Sequence, residues 1–266
     1  YLHGGSGVKR EERQQAIMDV LVLEGEASLD ELSVHFEVSK MTVHRDLDDL
    51  ESAGLLRKVR GGATIQSGTQ FESDYRLRAR QGAVSKNAMA EAALSLIEPG
   101  MTVMINDGSM AAVLAQKCSA RRPLTIITNN AAVIDAQRNE PGITLITLGG
   151  VYSSKYNAYL GKVTEDTLAG LRADIAFISS PAVSGVEVFH MDDSVVRAKR
   201  AMMEQAAKCC LLVNHTRFGH AALHRLAKLD EFANIITDQT PDADAIAEFQ
   251  RAGLNLTIAA REEGTP

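Results

Sequence analysis

VSKMTVHRDLDDLESAGLLRKVRGGA, residues Val38 to Ala63, sets hydroxyls, a basic pair, several acids and a glycine-ended basic cluster in one run. Val43, Leu47 and Leu50 recur at helical spacing, so the first half predicts a helix with one apolar face. Ser39 stands where a hydroxyl can accept a bond from an unpaired backbone N–H at the helix start. This helix would run to about Ala53 and close at Gly54. From Leu55 to Ile65 apolar residues alternate with Arg57, Lys58 and Arg60 before Gly61 and Gly62, which predicts a hairpin beside it.

Working upstream, Ile17, Val20 and Leu21 make an apolar stripe over Glu11–Glu24, with Gly25 as its stop. Ser28-Leu-Asp-Glu31 is a capping box that opens a second helix, with Leu29, Leu32 and Phe36 inward. A tight turn at Glu37-Val38 leads into the third helix. Three short helices so joined describe a helix-turn-helix, and the hairpin is its wing, over residues 9–65. In that arrangement the first turns of the third helix enter the major groove. Ser39, Lys40, Thr42, His44 and Arg45 then face DNA, where an arginine can bond guanine O6 and N7. Arg57, Lys58 and Arg60 would grip flanking phosphates, and Gly61 and Gly62 would let backbone approach the duplex. Asp46, Asp48, Asp49 and Glu51 would lie on the far side or pair with the arginines. The competing reading is a plain helix bundle with solvated charges. Net charge is −6, and residues 9–65 hold 8 Lys/Arg against 12 Asp/Glu, a net of −4, so DNA binding must rest on local placement of charge.

Downstream, residues 66–81 are polar, with Ser, Gly and Gln early and arginines late, and read as a linker. From Ala83 the rhythm alternates. Strand-like runs fall at Met101–Ile105, Leu124–Thr128, Ile143–Leu148, Asp174–Ser179, Cys209–Val213, Ile235–Thr237 and Leu256–Ala259. Amphipathic segments lie between several of them, at Val84–Ile97, Ala111–Cys118, Val195–Ala207 and Ala243–Ala252. This predicts an α/β domain over residues 82–262, a mainly parallel, doubly wound sheet with helices on both faces. Ligands of such sheets sit beyond the carboxyl ends of the strands. Three loops there carry polar groups: Asp107 to Ser109, Asn129-Asn130, and Asn214 to Arg217. Gly108-Ser109 opens a helix whose free N–H groups suit an anion. His190-Met191-Asp192-Asp193 reads as a polar loop at the crevice in preference to a metal site. Lys155, Tyr156 and Tyr159 suit a flap over the crevice or a solvated loop.

At 266 residues a small module plus a larger one is the natural division. No apolar run is long enough to span a bilayer and no signal-peptide pattern is present, so the reading is a cytoplasmic protein. The opening YLHGGSG reads as an expression remnant. Cys118, Cys209 and Cys210 lack metal-ligand spacing and read as reduced thiols, the last two within an apolar strand. No cofactor or metal is expected.

These residues resemble the DeoR family. The resemblance runs through Ser39, Thr42-Val43, the basic pair His44-Arg45, Asp46-Leu47, Leu50-Glu51, Gly54 and Gly61-Gly62-Ala63. It continues from Lys86–Ala90 and Glu98-Pro-Gly100 through Asn106–Met110, Thr128-Asn129, Gly149-Gly150, Gly161, Asp174, Lys199-Arg200 and Phe218-Gly219. His44 stands where the family usually has the first of two arginines. Asn106-Asp-Gly-Ser-Met110 replaces Asp-Ser-Gly-Thr-Thr, and Asn214 and Arg217 replace an Asp and a Lys. The resemblance implies a repressor of a carbohydrate catabolic operon. It would bind double-stranded operator DNA, assemble as a homo-oligomer of at least two copies, and leave the operator when a metabolite binds. It also implies a sensor fold like that of sugar-phosphate isomerases. The effector would be a phosphorylated sugar or an unphosphorylated sugar or polyol. Its contacts would come from Asn106, Asp107, Gly108, Ser109, Met110, Thr128, Asn129, Asn130, Gly149, Gly150, Gly161, Asp192, Asn214 and Arg217. The alternative from another class is an isomerase with Asp107 and His190 as base and acid. Asn106 and Asn214 stand where such an enzyme would want titratable groups, and an isomerase has no use for a winged helix.

Overall fold

The computed structural model describes residues 10–65 and 74–259, which form two compact units that meet in sequence between Gln81 and Gly82. The opening YLHGGSG, residues 66–73 of the expected linker and residues 260–262 of the expected sensor lie outside the described residues.

In the first unit α1 (Arg10–Glu24) ends at Gly25, whose φ of +82° turns the chain. A short strand follows, β1 (Glu26–Ser28), then α2 (Leu29–His35) and α3 (Lys40–Ser52). The capping box forms: Glu31 N donates to Ser28 Oγ (3.1 Å) and Ser28 N to Glu31 Oε2 (2.8 Å). Ser39 caps α3 through Thr42 N (3.2 Å). The hairpin is β2 (Arg57–Val59) and β3 (Gly62–Thr64), and β1 pairs with β3 to make a three-stranded sheet. That third strand was not expected, because three residues with only Ala27 buried carry no readable period. Ile17, Leu21, Leu32, Val43, Leu47 and Leu56 fill the core.

The expected linker is not structureless to its end. Asp74 caps α4 (Tyr75–Arg80) through Arg76 N (2.8 Å), Leu77 joins the core of the first unit, and Arg80 pairs with Asp19 (2.9 Å). Two buried side chains, Tyr75 and Leu77, set among three arginines are too few to announce a helix.

In the second unit α5 (Ala83–Leu94) precedes β4 (Thr102–Ile105), α6 (Ser109–Lys117), β5 (Leu124–Thr128), α7 (Ala131–Gln137) and β6 (Ile143–Thr147). A hairpin, β7 (Val151–Ser153) and β8 (Ala158–Leu160), leads into α8 (Lys162–Ala169) and β9 (Ala173–Ser179). Then come β10 (Ala182–Ser184), β11 (Glu187–His190), α9 (Asp193–Glu204), β12 (Ala206–Leu212), β13 (His224–Lys228), β14 (Asn234–Thr237), α10 (Ala243–Arg251) and β15 (Leu256–Ile258). All seven expected strands are present in one parallel sheet, in the order β15-β14-β12-β9-β4-β5-β6. The chain starts at β4 in mid-sheet, runs outward to β6, then returns to β9 and runs out the other way. Its switch point is therefore the gap between β4 and β9. Phe177, Ile178, Met104 and Leu211, buried on this sheet, are why its strands read as continuous apolar runs. β10, β11 and β13 form a small antiparallel sheet that sequence reading did not anticipate.

Tyr156 and Tyr159 belong to the β7–β8 hairpin. Tyr156 is buried against Val195 and Ala198, its ring 5.6 Å from that of His190, so this is a packed hairpin and not a solvated loop. Cys209 and Cys210 lie on β12 as expected. Burial pushes the Cys118 thiol up to about 12 and Cys209 up to about 11. No helix among the described residues is long and apolar enough to cross a membrane.

Candidate functional site

On α3 the apolar face of Val43, Leu47 and Leu50 is buried, so the helix turns its other side to solvent. Lys40, Met41, His44 and Arg45 are exposed there, with Thr42 half-buried and its hydroxyl 2.9 Å from that of Ser39. The acids divide by position. Asp46 is buried and accepts from Arg13 Nε (2.6 Å) and Nη2 (3.1 Å), while Arg10 pairs with Asp49. Their arginine partners thus come from α1, not from α3 or the wing. Asp48 is exposed and holds both Lys58 Nζ and His44 Nδ1 (3.2 Å). The Lys58 ammonium first, then His44, keeps its carboxyl below the usual value. Glu51 accepts from the Lys58 backbone N–H (2.7 Å).

Three expected phosphate or base contacts are therefore engaged elsewhere in the free chain, Lys58 and His44 on Asp48 and Lys40 on Asp30. Arg45, Arg57 and Arg60 are exposed. Gly61 is exposed at the hairpin turn with φ +84°, whereas Gly62 is buried and a Cβ there would run into the Ala27 carbonyl. Gly62 is thus small so that β1 can close on the wing.

The second cluster lies at the switch point. After β4 the chain places Asn106 and Asp107 in full burial, and Gly108, with φ +110°, begins α6 without a side-chain cap. The first amides of α6 are therefore left for another acceptor. Lys199 on α9 reaches the same point. Its Nζ lies 3.6 Å from Asp107 Oδ1 and donates to Ser179 O (2.8 Å), and both charged side chains are 2% exposed. Ser179, at the end of β9, donates through Oγ to Asp107 O (3.2 Å) and through its backbone N–H to Asn106 Oδ1 (3.3 Å).

Sequence reading missed Ser179 and took Lys199 only as a family landmark. A signal for Lys199 was present: it falls four residues after Val195 and three before Met202, on the buried face of α9. A lysine on an apolar stripe needs a buried partner.

The expected residues after β5 are bound into the framework. Thr128 Oγ1 donates to Ile105 O (2.6 Å), and Asn130 Nδ2 donates to Asn106 O and Gly108 O (3.1 Å each) while its Oδ1 caps α7. They shape the Asp107 loop. Asn129 Nδ2 donates to Tyr159 O (3.0 Å), and its Oδ1 is buried with no hydrogen-bond partner. Ser109 and Met110 are buried in the first turn of α6.

Gly149, Gly150 and Gly161 bracket the hairpin. Thr164 Oγ1 donates to Gly149 O (2.5 Å), a Cβ on Gly150 would meet Leu160 O, and Gly161 precedes α8 without a side-chain cap. Asp192 caps α9 through Ser194 N (2.9 Å) and Val195 N (3.3 Å). Burial pushes its carboxyl up, but these bonds and the Ser194 hydroxyl outweigh that and hold it low.

Asn214 lies two strands from Asp107. Its Nδ2 donates to Asp238 Oδ2 (2.9 Å) and its Oδ1 accepts from Thr216 N (3.0 Å). Arg217, half-buried, follows in the same turn.

Among known proteins, a model of the DeoR-like helix-turn-helix domain matches residues 13–69 and one of the DeoR C terminal sensor domain matches residues 82–239. The HTH-type transcriptional repressor GlcR of Bacillus subtilis is 28% identical over 96% of this chain and 98% of its own. The glycerol-3-phosphate regulon repressor of Escherichia coli is 27% identical over 94% of this chain and 100% of its own. The L-fucose operon activator of Haemophilus influenzae is 29% identical over 86% and 93%. Among solved structures, ribose 5-phosphate isomerase A of Methanocaldococcus jannaschii covers 50% of this chain and 53% of its own, at 17% identity and a TM-score of 0.38. The chain belongs to the DeoR family of DNA-binding transcriptional regulators, and its second unit is that family's sensor domain where the alternative placed an isomerase.

Proposed function

We propose that this regulator is a repressor of a carbohydrate catabolic operon, released from its operator by a phosphorylated sugar bound at the β4–β9 switch point. The observation that carries this reading is the Asp107–Lys199 pair. A bare carboxylate beside a phosphate would repel it, by about 1 kcal/mol per charge pair at 4 Å in water and more in a drier crevice. Lys199 offsets that charge, and the uncapped start of α6 supplies donors for phosphate oxygens. Asn129 Oδ1 offers an acceptor for a sugar hydroxyl, and Arg217 a cation on the far side.

In this reading Thr42, His44 and Arg45 read the major groove, Arg57, Lys58 and Arg60 hold phosphates, and the working form in the cytoplasm is at least a dimer on a palindromic operator. The GlcR and glycerol-3-phosphate relatives are named as repressors, which supports the repressor reading, while the fucose relative is named as an activator.

The experiment is fluorescence anisotropy of the full chain on DNA from its own gene neighbourhood, titrated with matched pairs of sugars and sugar phosphates. Release by the phosphorylated member alone is expected. An Asp107→Ser variant should tighten that response several-fold, since it leaves Lys199 to the phosphate. Release by the unphosphorylated sugar, abolished in the same variant, would overturn the phosphate assignment in favour of a polyol held by Asp107.

A further inference from the structure

Among the described residues of α3, Met41 is the exposed large apolar side chain, at 63% of its full exposure, while Val43, Leu47 and Leu50 are buried. Lone exposed apolar residues are common on protein surfaces, and Leu23 and Val34 of the same unit are others. Position separates Met41 from them. It stands three and four residues before His44 and Arg45, so the three share one helix face. That face carries the first turn of α3, next to the Ser39 cap.

The neighbours on this face are constrained differently. His44 is turned along the helix to Asp48. Arg45 is exposed, and Met41 lies ahead of it with a long, polarizable side chain that adapts to an apolar surface. In the major groove the apolar surface on offer is the thymine C5-methyl group.

We propose that Met41 is a base-reading residue that packs against a thymine methyl. Four helical residues span about 6 Å and stacked pairs rise about 3.4 Å, so this thymine lies within about two base pairs of the base that Arg45 contacts. The proposal rests on the reading of α3 as the groove helix and adds an apolar determinant to it.

The test is selection of duplexes from a random library by the full-length chain, followed by replacement of each selected thymine with deoxyuridine, which removes only the methyl. Wild type should lose about fourfold in affinity at one such thymine, the worth of one buried methyl group. Met41→Ala, exposed and therefore harmless to the fold, should bind the thymine and uracil duplexes equally. Arg45→Ala should keep the thymine–uracil difference while losing preference at its own base pair. The proposal is overturned if Met41→Ala still distinguishes thymine from uracil, or if wild type ignores the methyl at every selected thymine. Should Arg45→Ala select the wild-type motif with wild-type affinity, the groove reading itself fails, a result distinct from loss of the Met41 effect alone.

Discussion

Asp46 sits mid-way along α3, the proposed groove helix, yet it points inward and binds Arg13 with both carboxylate oxygens. Its side chain is 2% and that of Arg13 11% exposed, so removing the carboxylate takes two charged hydrogen bonds from a guanidinium with little water around it. Asp46→Ala should cost about 2–3 kcal/mol in urea unfolding of the first unit, the worth of a charged hydrogen-bonded group. No change in midpoint would mean that α1 and α3 are joined by their apolar faces alone. Asp238 is the corresponding residue of the sensor. Burial pushes its carboxyl up, but bonds from His215 N–H, Ser85 and the His215 ring prevail and hold it below its ordinary value. A depressed folded pKa stabilises the fold above the unfolded value, near pH 4, and that contribution is lost as pH falls through the lower folded value. Urea midpoints of the sensor should therefore drop below about pH 4, and Asp238→Asn should flatten that acid limb.

At the scale of elements, α3 and the wing are joined by Asp48, which holds His44 of one and Lys58 of the other. In the proposed complex Lys58 exchanges Asp48 for a phosphate. Lys58→Ala should then weaken binding to all sequences alike and reduce the salt slope by about one unit. Arg45→Ala should instead cost about 1–3 kcal/mol on the selected motif and relax one base position. Equal losses on specific and random DNA for both variants would remove the division of roles. The helix-turn-helix and all seven sheet strands were legible because each carries a local signal: caps and an apolar stripe on α2 and α3, short mainly apolar runs on the strands. What was not legible is short or paired at long range. β1 exists because Gly62 lets it close on β3, and α4 because Leu77 finds a core assembled far earlier in the chain. At the switch point the loops at Asp107 and Asn129 could be read in order, but their division of labour could not. Asn130 and Thr128 look like ligand groups until their hydrogen bonds to the β4 loop are seen, and Lys199 enters from a helix some ninety residues later.

At the scale of the whole molecule, the two units have separate cores, one around Leu21, Leu32 and Leu47 and one around Met104, Ile178 and Leu211. The division after Gln81 keeps α4 with the first unit and leaves the parallel sheet intact. A fragment starting at Gly82 should fold and bind the effector without binding DNA, because its sheet and helices carry a core of their own. Insolubility or loss of ligand binding in this fragment, with the full chain competent, would move the boundary. The fragment also isolates the coupling. If the effector weakens operator affinity by some factor in the full chain, operator DNA must weaken effector affinity by the same factor, since both draw on one equilibrium. Calorimetric titration of a sugar phosphate should give a single affinity for the fragment with or without operator DNA. For the full chain, saturating operator should weaken that affinity by the factor measured in anisotropy. Equal effector affinity in the presence and absence of operator would leave the switch-point site standing as a binding site but remove release from DNA as its consequence.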